Sequence, residues 1–133
     1  MIIDALILEQ TDLIKKSFFE WLFSHFSGSL PPHRYHGKIE VRDRLLTFEG
    51  TDNKTDDNVN LIINKEHITE VYYGYDDLYN IFQTRGFGSV WSPVRIKVSD
   101  DTDTEKIYYI VTGFDFLKTT NMEFYNFLKE WLS

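Results

Sequence analysis

The stretch from Pro93 to Val111, PVRIKVSDDTDTEKIYYIV, decides the fold class. Val94, Ile96 and Val98 alternate with Arg95 and Lys97, Lys106 to Val111 repeats the strand-like composition, and Asp100 to Thr104 between them has turn chemistry. Alternation with period two puts the apolar side chains on one face of a pleated strand, so the stretch reads as an antiparallel hairpin. The C-terminal residues have helical spacing instead. Thr120 and Glu123 have the spacing of a capping box, and Phe124, Phe127, Leu128, Trp131 and Leu132 fall at i, i+3, i+4, i+7 and i+8. Such a stripe must bury against a neighbouring surface.

Upstream, Lys38 to Arg42 and Leu45 to Glu49 read as a second hairpin turning at Asp43 and Arg44. A polar, acidic loop from Thr51 to Asn58 leads to two further β-type runs, Val59 to Ile63 and Ile68 to Tyr73, both rich in β-branched or aromatic residues. Asp76 to Ser92 is irregular, with a short helical turn at Leu78 to Phe82 and a glycine-bearing segment Arg85 to Gly88 that reads as a loop or another strand. From Tyr35 to Ser133 the order is thus about seven short strands and a closing helix. Before it, Asp4 to Phe26 holds no proline or glycine, and Ile7, Ile14, Phe18, Trp21 and Leu22 fall near one helical face, which predicts an N-terminal helix. Leu13, Phe19, Phe23 and Phe26 widen its apolar sector. Gly28, Pro31 and Pro32 end it and form the linker. The reading is one mainly β domain of α+β type, with residues 1–30 as a helical extension and 35–133 as the body.

At 133 residues and 15.8 kDa the chain suits a single domain with a real core. Aromatic residues form 17% of it, enough to fill a core and supply a binding surface as well. A net charge of -7 works against nucleic acid and anionic membranes, so neither is expected as a partner. The absence of cysteine removes disulfides, thiol nucleophiles and thiolate metal sites. The N-terminus lacks the basic region and cleavage site of a secretory signal, and Asp4, Glu9, Asp12, Lys15, Lys16 and Glu20 interrupt any apolar span. These features lead to the expectation of a soluble, cytoplasmic protein.

Gly37 to Val41 leading into Arg44 to Phe48, and Ile68 to Val71 followed by Gly74, resemble in pattern the pleckstrin-homology-like superfold, especially its bacterial and GRAM-like branches. The resemblance covers roughly Tyr35 to Ser133. It implies two nearly orthogonal antiparallel sheets forming a partly open barrel, with the C-terminal helix plugging one end through Phe124, Phe127, Trp131 and Leu132. Members bind lipids, peptides or proteins, so the resemblance supplies no ligand.

Tyr72, Tyr73, Tyr75, Tyr79, Phe82, Phe87 and Trp91 concentrate aromatic area in a short span. With Arg85 they form the candidate partner-binding surface, because amphipathic rings and arginine dominate interface hot spots. Core and edge-strand packing is the ordinary use of the same rings. Lys38, Arg42 and Arg44 are similar to the phosphoinositide signature on the family's opening hairpin, but all three lie in one strand and its turn where the family motif sets a loop between lysine and arginines, and a solvated strand face is the default reading. His33, His36 and Glu40 lack an established metal spacing. Asp100, Asp101, Asp103 and Glu105 lack the register and glycine of a calcium loop, so neither a metal nor a cofactor is expected.

None of G-x-S-x-G, a Walker A loop, G-x-G-x-x-G or H-E-x-x-H occurs. The sequence therefore points to a non-catalytic binding or assembly module acting on a protein partner or on a second copy of itself. The alternative is a pocket enzyme or carrier of cone-shaped α+β fold, with His67, Asp76 or Asp77 as a general base if burial shifted its pKa. Lipid-headgroup recognition ranks third.

Overall fold

The computed structural model describes residues 1–14, 33–79, 92–102, 104–115 and 118–133. Seven strands form one antiparallel sheet: β1 (Ile2–Glu9), β2 (Tyr35–Arg42), β3 (Leu45–Asp52), β4 (Asn58–Asn64), β5 (Ile68–Tyr73), β6 (Val94–Ser99) and β7 (Glu105–Thr112). Their order is β4-β3-β2-β1-β7-β6-β5, and the sheet curls into a half-barrel. Among the described residues it is accompanied by two α-helices, α1 (Gln10–Ile14) and α2 (Asn121–Leu132), and by a 3-10 turn at Lys65–His67 that joins the two edge strands. The expected class, a partly open barrel of seven antiparallel strands with a C-terminal and an N-terminal helix, is what the chain forms. All seven strands belong to one continuous sheet, where the resemblance implied two.

One boundary is corrected. Asp4 to Glu9, expected as the first turns of the N-terminal helix, belongs instead to β1, the middle strand of the sheet, which pairs with β2 from Ile2↔Glu40 to Ile7↔Tyr35 and with β7 from Ala5↔Thr112 to Glu9↔Tyr108. Ala5 and Ile7 face the barrel core while Leu8 is buried on the opposite face, so both surfaces of this strand are apolar. An eight-residue run apolar on two faces satisfies a helical window as readily as a central strand, and its isoleucines then favour the strand. The sheet therefore begins at Ile2, within the span read as the helical extension. The hairpin at residues 37–48, read as the one that opens the barrel, is formed by the second and third strands. The described part of α1 is Gln10–Ile14, and Asp12 in its first turn accepts a hydrogen bond from the Glu9 N–H at 3.3 Å. The remainder of the expected helix, residues 15–26, lies outside the described residues, as do the expected turn at 80–82 and the segment 85–88.

Two devices give the sheet its curl. A Cβ added to Gly37 would lie 2.1 Å from the Glu49 carbonyl oxygen, and one added to facing Gly50 would lie 2.1 Å from that of His36. The backbones of β2 and β3 approach so closely there that only glycine fits, and a sheet bends where side chains vanish. Helix α2 then fills the concave side. Phe124 and Leu128 join Ile39, Phe48, Ile96 and Ile110 in a core with almost no solvent access. Trp131 donates its indole N–H to the Asp43 carbonyl at 2.8 Å, tying the end of α2 to the β2–β3 turn.

The start of α2 differs from the expected capping box in its bonds. Thr120 is the N-cap but makes no side-chain capping bond, because its hydroxyl lies 3.0 Å from that of Thr112. Fully buried Asn121 takes over the junction: its Oδ1 accepts from the Thr112 N–H at 2.7 Å and its Nδ2 donates to the Ser92 carbonyl at 2.7 Å. An amide that bonds both a strand end and the segment before β6 locks the helix to the sheet.

Candidate functional site

The strongest chemistry among the described residues lies in two arginine clamps. The first sits on the outer face of β6, where Arg95 stands beside Tyr109 of β7 and Tyr72 of β5 in the ladder. Gly74, at φ 138, turns the chain back over this face. Asp76 is thereby brought 2.9 Å from Arg95 Nη1 and 2.8 Å from the Tyr109 hydroxyl, while Glu70 lies 2.6 Å from Arg95 Nη2. The other Asp76 oxygen accepts the N–H groups of Leu78 and Tyr79 at 2.9 and 2.7 Å. Gln10 of α1 donates to the Tyr109 hydroxyl at 3.2 Å, and the Arg95 guanidinium lies 4.6 Å above the Tyr72 ring.

The second clamp also engages α1, through Asp12. Arg34, just ahead of β2, reaches Asp12 at 2.9 Å and Asp52, the last residue of β3, at 3.0 Å. The Asp12 and Asp52 side chains are 2% and 8% exposed, so this is a nearly desolvated, charge-assisted network. It joins α1, β2 and β3 across the insertion between the first two strands.

Both clamps suppress acid-base reactivity. Burial alone would raise the Asp76 carboxyl, but the Tyr79 N–H, the Tyr109 hydroxyl and Arg95 outweigh it and hold Asp76 below the usual carboxylate range. Asp52 is likewise held low, burial being overcome by Arg34 and the Lys54 N–H. Burial works against the charge of both arginines, and their carboxylates more than compensate, raising both. Asp76, nominated as a base if burial shifted its pKa, has been shifted downward and is bound on both oxygens. His67 is 3.3 Å from Asp101 at the surface, and Asp77 is exposed. Among the described residues the three nominated bases do not converge on one another.

The aromatic segment divides. Tyr79 is 1% exposed and stacks on Tyr109 at 5.2 Å between ring centroids, with Tyr75 at 6.3 Å on its other side. Together with Leu8 and Leu13 these rings make a second apolar core on the outer face of the sheet. Tyr79 is therefore corrected from a surface residue to a core residue, its phenol pushed far up by burial. Tyr73 faces inward and packs on Tyr125 of α2 at 5.8 Å. Tyr72 remains 40% exposed under Arg95. Phe82, Arg85, Phe87 and Trp91 lie outside the described residues.

The basic trio does not form a cradle. Lys38 lies 3.4 Å from Asp4 and Arg42 lies 3.4 Å from Glu40, on the outer face, while Arg44 at the turn pairs with Glu66. Each cation has its own carboxylate, which leaves no concentration of positive charge for a phosphate. His33 is buried and His36 is exposed beside Asn53, so they do not share a site. No three His, Asp or Glu groups among the described residues are placed to hold a metal ion. Asp100 spends one carboxylate oxygen on the Thr102 and Thr104 N–H groups as a turn anchor. No helix among the described residues is long and apolar enough to cross a membrane.

A shallow apolar groove of about 290 Å³ lies on the outer face over β2, β1 and β7, lined by Leu6, Gly37, Val111 and Phe114, with Asp4 and Lys38 at its rim. It is outside the barrel, whose interior is occupied by the chain's own side chains. Sequence reading missed the Arg34 clamp, since its three members lie 22 and 18 residues apart along the chain. The Arg95 clamp had a partial signal in Asp76 and in Arg95, which stands on the polar face of the alternating run Val94 to Val98. No protein-family model matches this chain, and no curated protein matches it.

Proposed function

We propose that the chain is a pleckstrin-homology-like module that acts by binding, without catalysis, to a protein partner or to a second copy of itself. The observation that carries this reading is the filled interior. Phe48, Phe124, Ile39, Leu46, Ile96, Ile110 and Leu128 close the concave side of the half-barrel at 0–1% exposure, leaving recognition to the outside of the sheet and its edges. The arginine clamps support it too, because they hold Asp52 and Asp76 as structural anions rather than as groups poised to move a proton. The sheet order, a meander from β1 to β4 and another from β5 to β7 joined through β1 and β7, is compatible with the superfold. The individually paired cations weigh against lipid headgroups as the ligand.

Absolute mass in solution, followed by light scattering over a wide range of concentration, tests the reading. A mass above that of one chain, or a stoichiometric complex with a defined protein, is the expected result. A monomer stabilised only by small molecules of one chemical class would assign the chain to the carrier alternative instead.

A further inference from the structure

Strand β4 ends the sheet, and its chemistry is unusual for an edge. Its seven residues, Asn58–Asn64, read NVNLIIN and carry no charge and no proline. Its register with β3 runs without a break from Leu45↔Asn64 to Thr51↔Asn58. Natural edges are blunted by lysine, proline, bulges or a covering element, and among the described residues β4 has none of these. Asn58, Asn60 and Ile62 are exposed, Ile62 to 72%.

The hydrogen-bond phase of the ladder shows which backbone groups face outward. Lys65 N–H donates to the Arg44 carbonyl at 2.8 Å and Asp52 N–H to the Asp57 carbonyl at 2.9 Å, so the odd-numbered residues of β4 bond to β3. In an antiparallel ladder bonded and non-bonded pairs alternate, so the N–H and C=O groups of Asn58, Asn60, Ile62 and Asn64 point away from the sheet.

We infer that β4 pairs edge to edge with β4 of a second copy of this chain, antiparallel and centred on Leu61, so that one sheet runs through both copies. This deepens the proposed function and rests on its assembly reading. The two-fold arrangement sets Asn60 opposite Ile62 and Asn58 opposite Asn64, joining outward groups to outward groups throughout. Registers shifted by an odd number of residues would bring outward groups against inward ones and cannot bond. In the centred register no charged side chain meets a like charge within the strand, which matters for a chain of net charge -7. One step beyond, Asp57 of each copy falls opposite Lys65 of the other, an opposite-charge pair at both ends. Shifting the register by two residues either way loses both pairs and shortens the ladder. The chain then leaves the strand at Asp56, whose φ of 62 turns it aside. A single strand pair buries little area, so the dimer depends on concentration.

The experiment compares the full chain with two variants. Ile62→Pro removes an outward donor that β3 does not use, so the fold survives while two hydrogen bonds of the dimer are lost; self-association weakens about tenfold or more in light scattering. Leu61→Cys introduces the only thiol in a chain without cysteine. At the two-fold axis its non-bonded pair brings the Cα atoms to roughly 4.5 Å, within disulfide range, and mild oxidation gives a cross-linked dimer. If Ile62→Pro lowers the melting temperature, Ile62→Lys replaces it, and mixing Asn60→Cys with Ile62→Cys replaces the Leu61 thiol. A dimer equally tight in the edge variants and inert to oxidation would overturn the β4 inference while leaving assembly by another surface intact. A monomer at every concentration would overturn it as well, and a protein captured through β4 as an added strand would then identify a foreign peptide as the occupant.

Discussion

Among the described residues the two edges of the sheet are closed by different means, and one of them is hardly closed at all. On β5 the register slips between Ile68 and Glu70, Glu70 is bound by Arg95 with Lys97 at 3.8 Å, and α2 packs alongside with Tyr125 on Tyr73. A bulge, a fixed charge cluster and a covering helix are three separate protections. On β4 a neutral, unbulged strand stands with Ile62 largely in solvent. The lesson is that the half-barrel spends its charge and its helix on one side of the opening. Whatever pairs with this protein by strand addition meets β4 first.

Breaking the closed side should have the largest effect. Phe124→Ala removes a ring that is 1% exposed beneath β5 to β7, and about 3–5 kcal/mol of unfolding free energy should be lost in urea titration. A cost below about 1 kcal/mol would mean that α2 does not hold that side. Arg95→Met comes next, at about 2 kcal/mol. That is less than the ~3–5 kcal/mol of a fully buried pair, because the Arg95 side chain is 21% exposed and water screens it.

The same variant sharpens the pH dependence. Asp76 and Asp52 are depressed when folded, so their contribution is complete above the unfolded carboxylate pKa of about 4 and is lost as the pH falls through the folded values. Removing Arg95 lets burial push Asp76 up, and the acid unfolding midpoint should move to higher pH; an unchanged midpoint would remove Asp76 from the account. At the alkaline end Tyr108 is pushed up to about 12 by burial and by Glu9. Its contribution is complete below pH about 10 and fades as the pH climbs toward the folded value, which absorbance of the phenolate in the folded chain would follow. The smallest effect belongs to the open edge. Ile62→Lys should change stability by no more than about 0.5 kcal/mol by calorimetry, since its side chain touches little. Its effect on self-association separates edge chemistry from fold stability.

The β5–β7 and β2–β4 runs and α2 were legible because period-two and period-3.6 patterns are local properties. Residues 2–9 were not, because a central strand with two buried faces has no polar alternation to distinguish it from a helix. Tyr79 looked like a surface aromatic, since nothing local reveals that Gly74 folds the next residues over Tyr109. The Arg34 clamp joins three distant positions and leaves no periodic trace. The openness of β4 was present in NVNLIIN as an absence of charge, a signal that acquires meaning only once the strand is known to be an edge.

Amide hydrogen exchange at single-residue resolution, repeated across protein concentration, tests the contrast between the edges most directly. The account predicts that the amides of Asn58, Asn60, Ile62 and Asn64 exchange quickly in dilute solution and gain protection as concentration rises, while Val71 and Tyr73 of β5 show no concentration dependence. Protection in β4 that is already high in dilute solution, or that stays constant at every concentration, would contradict it.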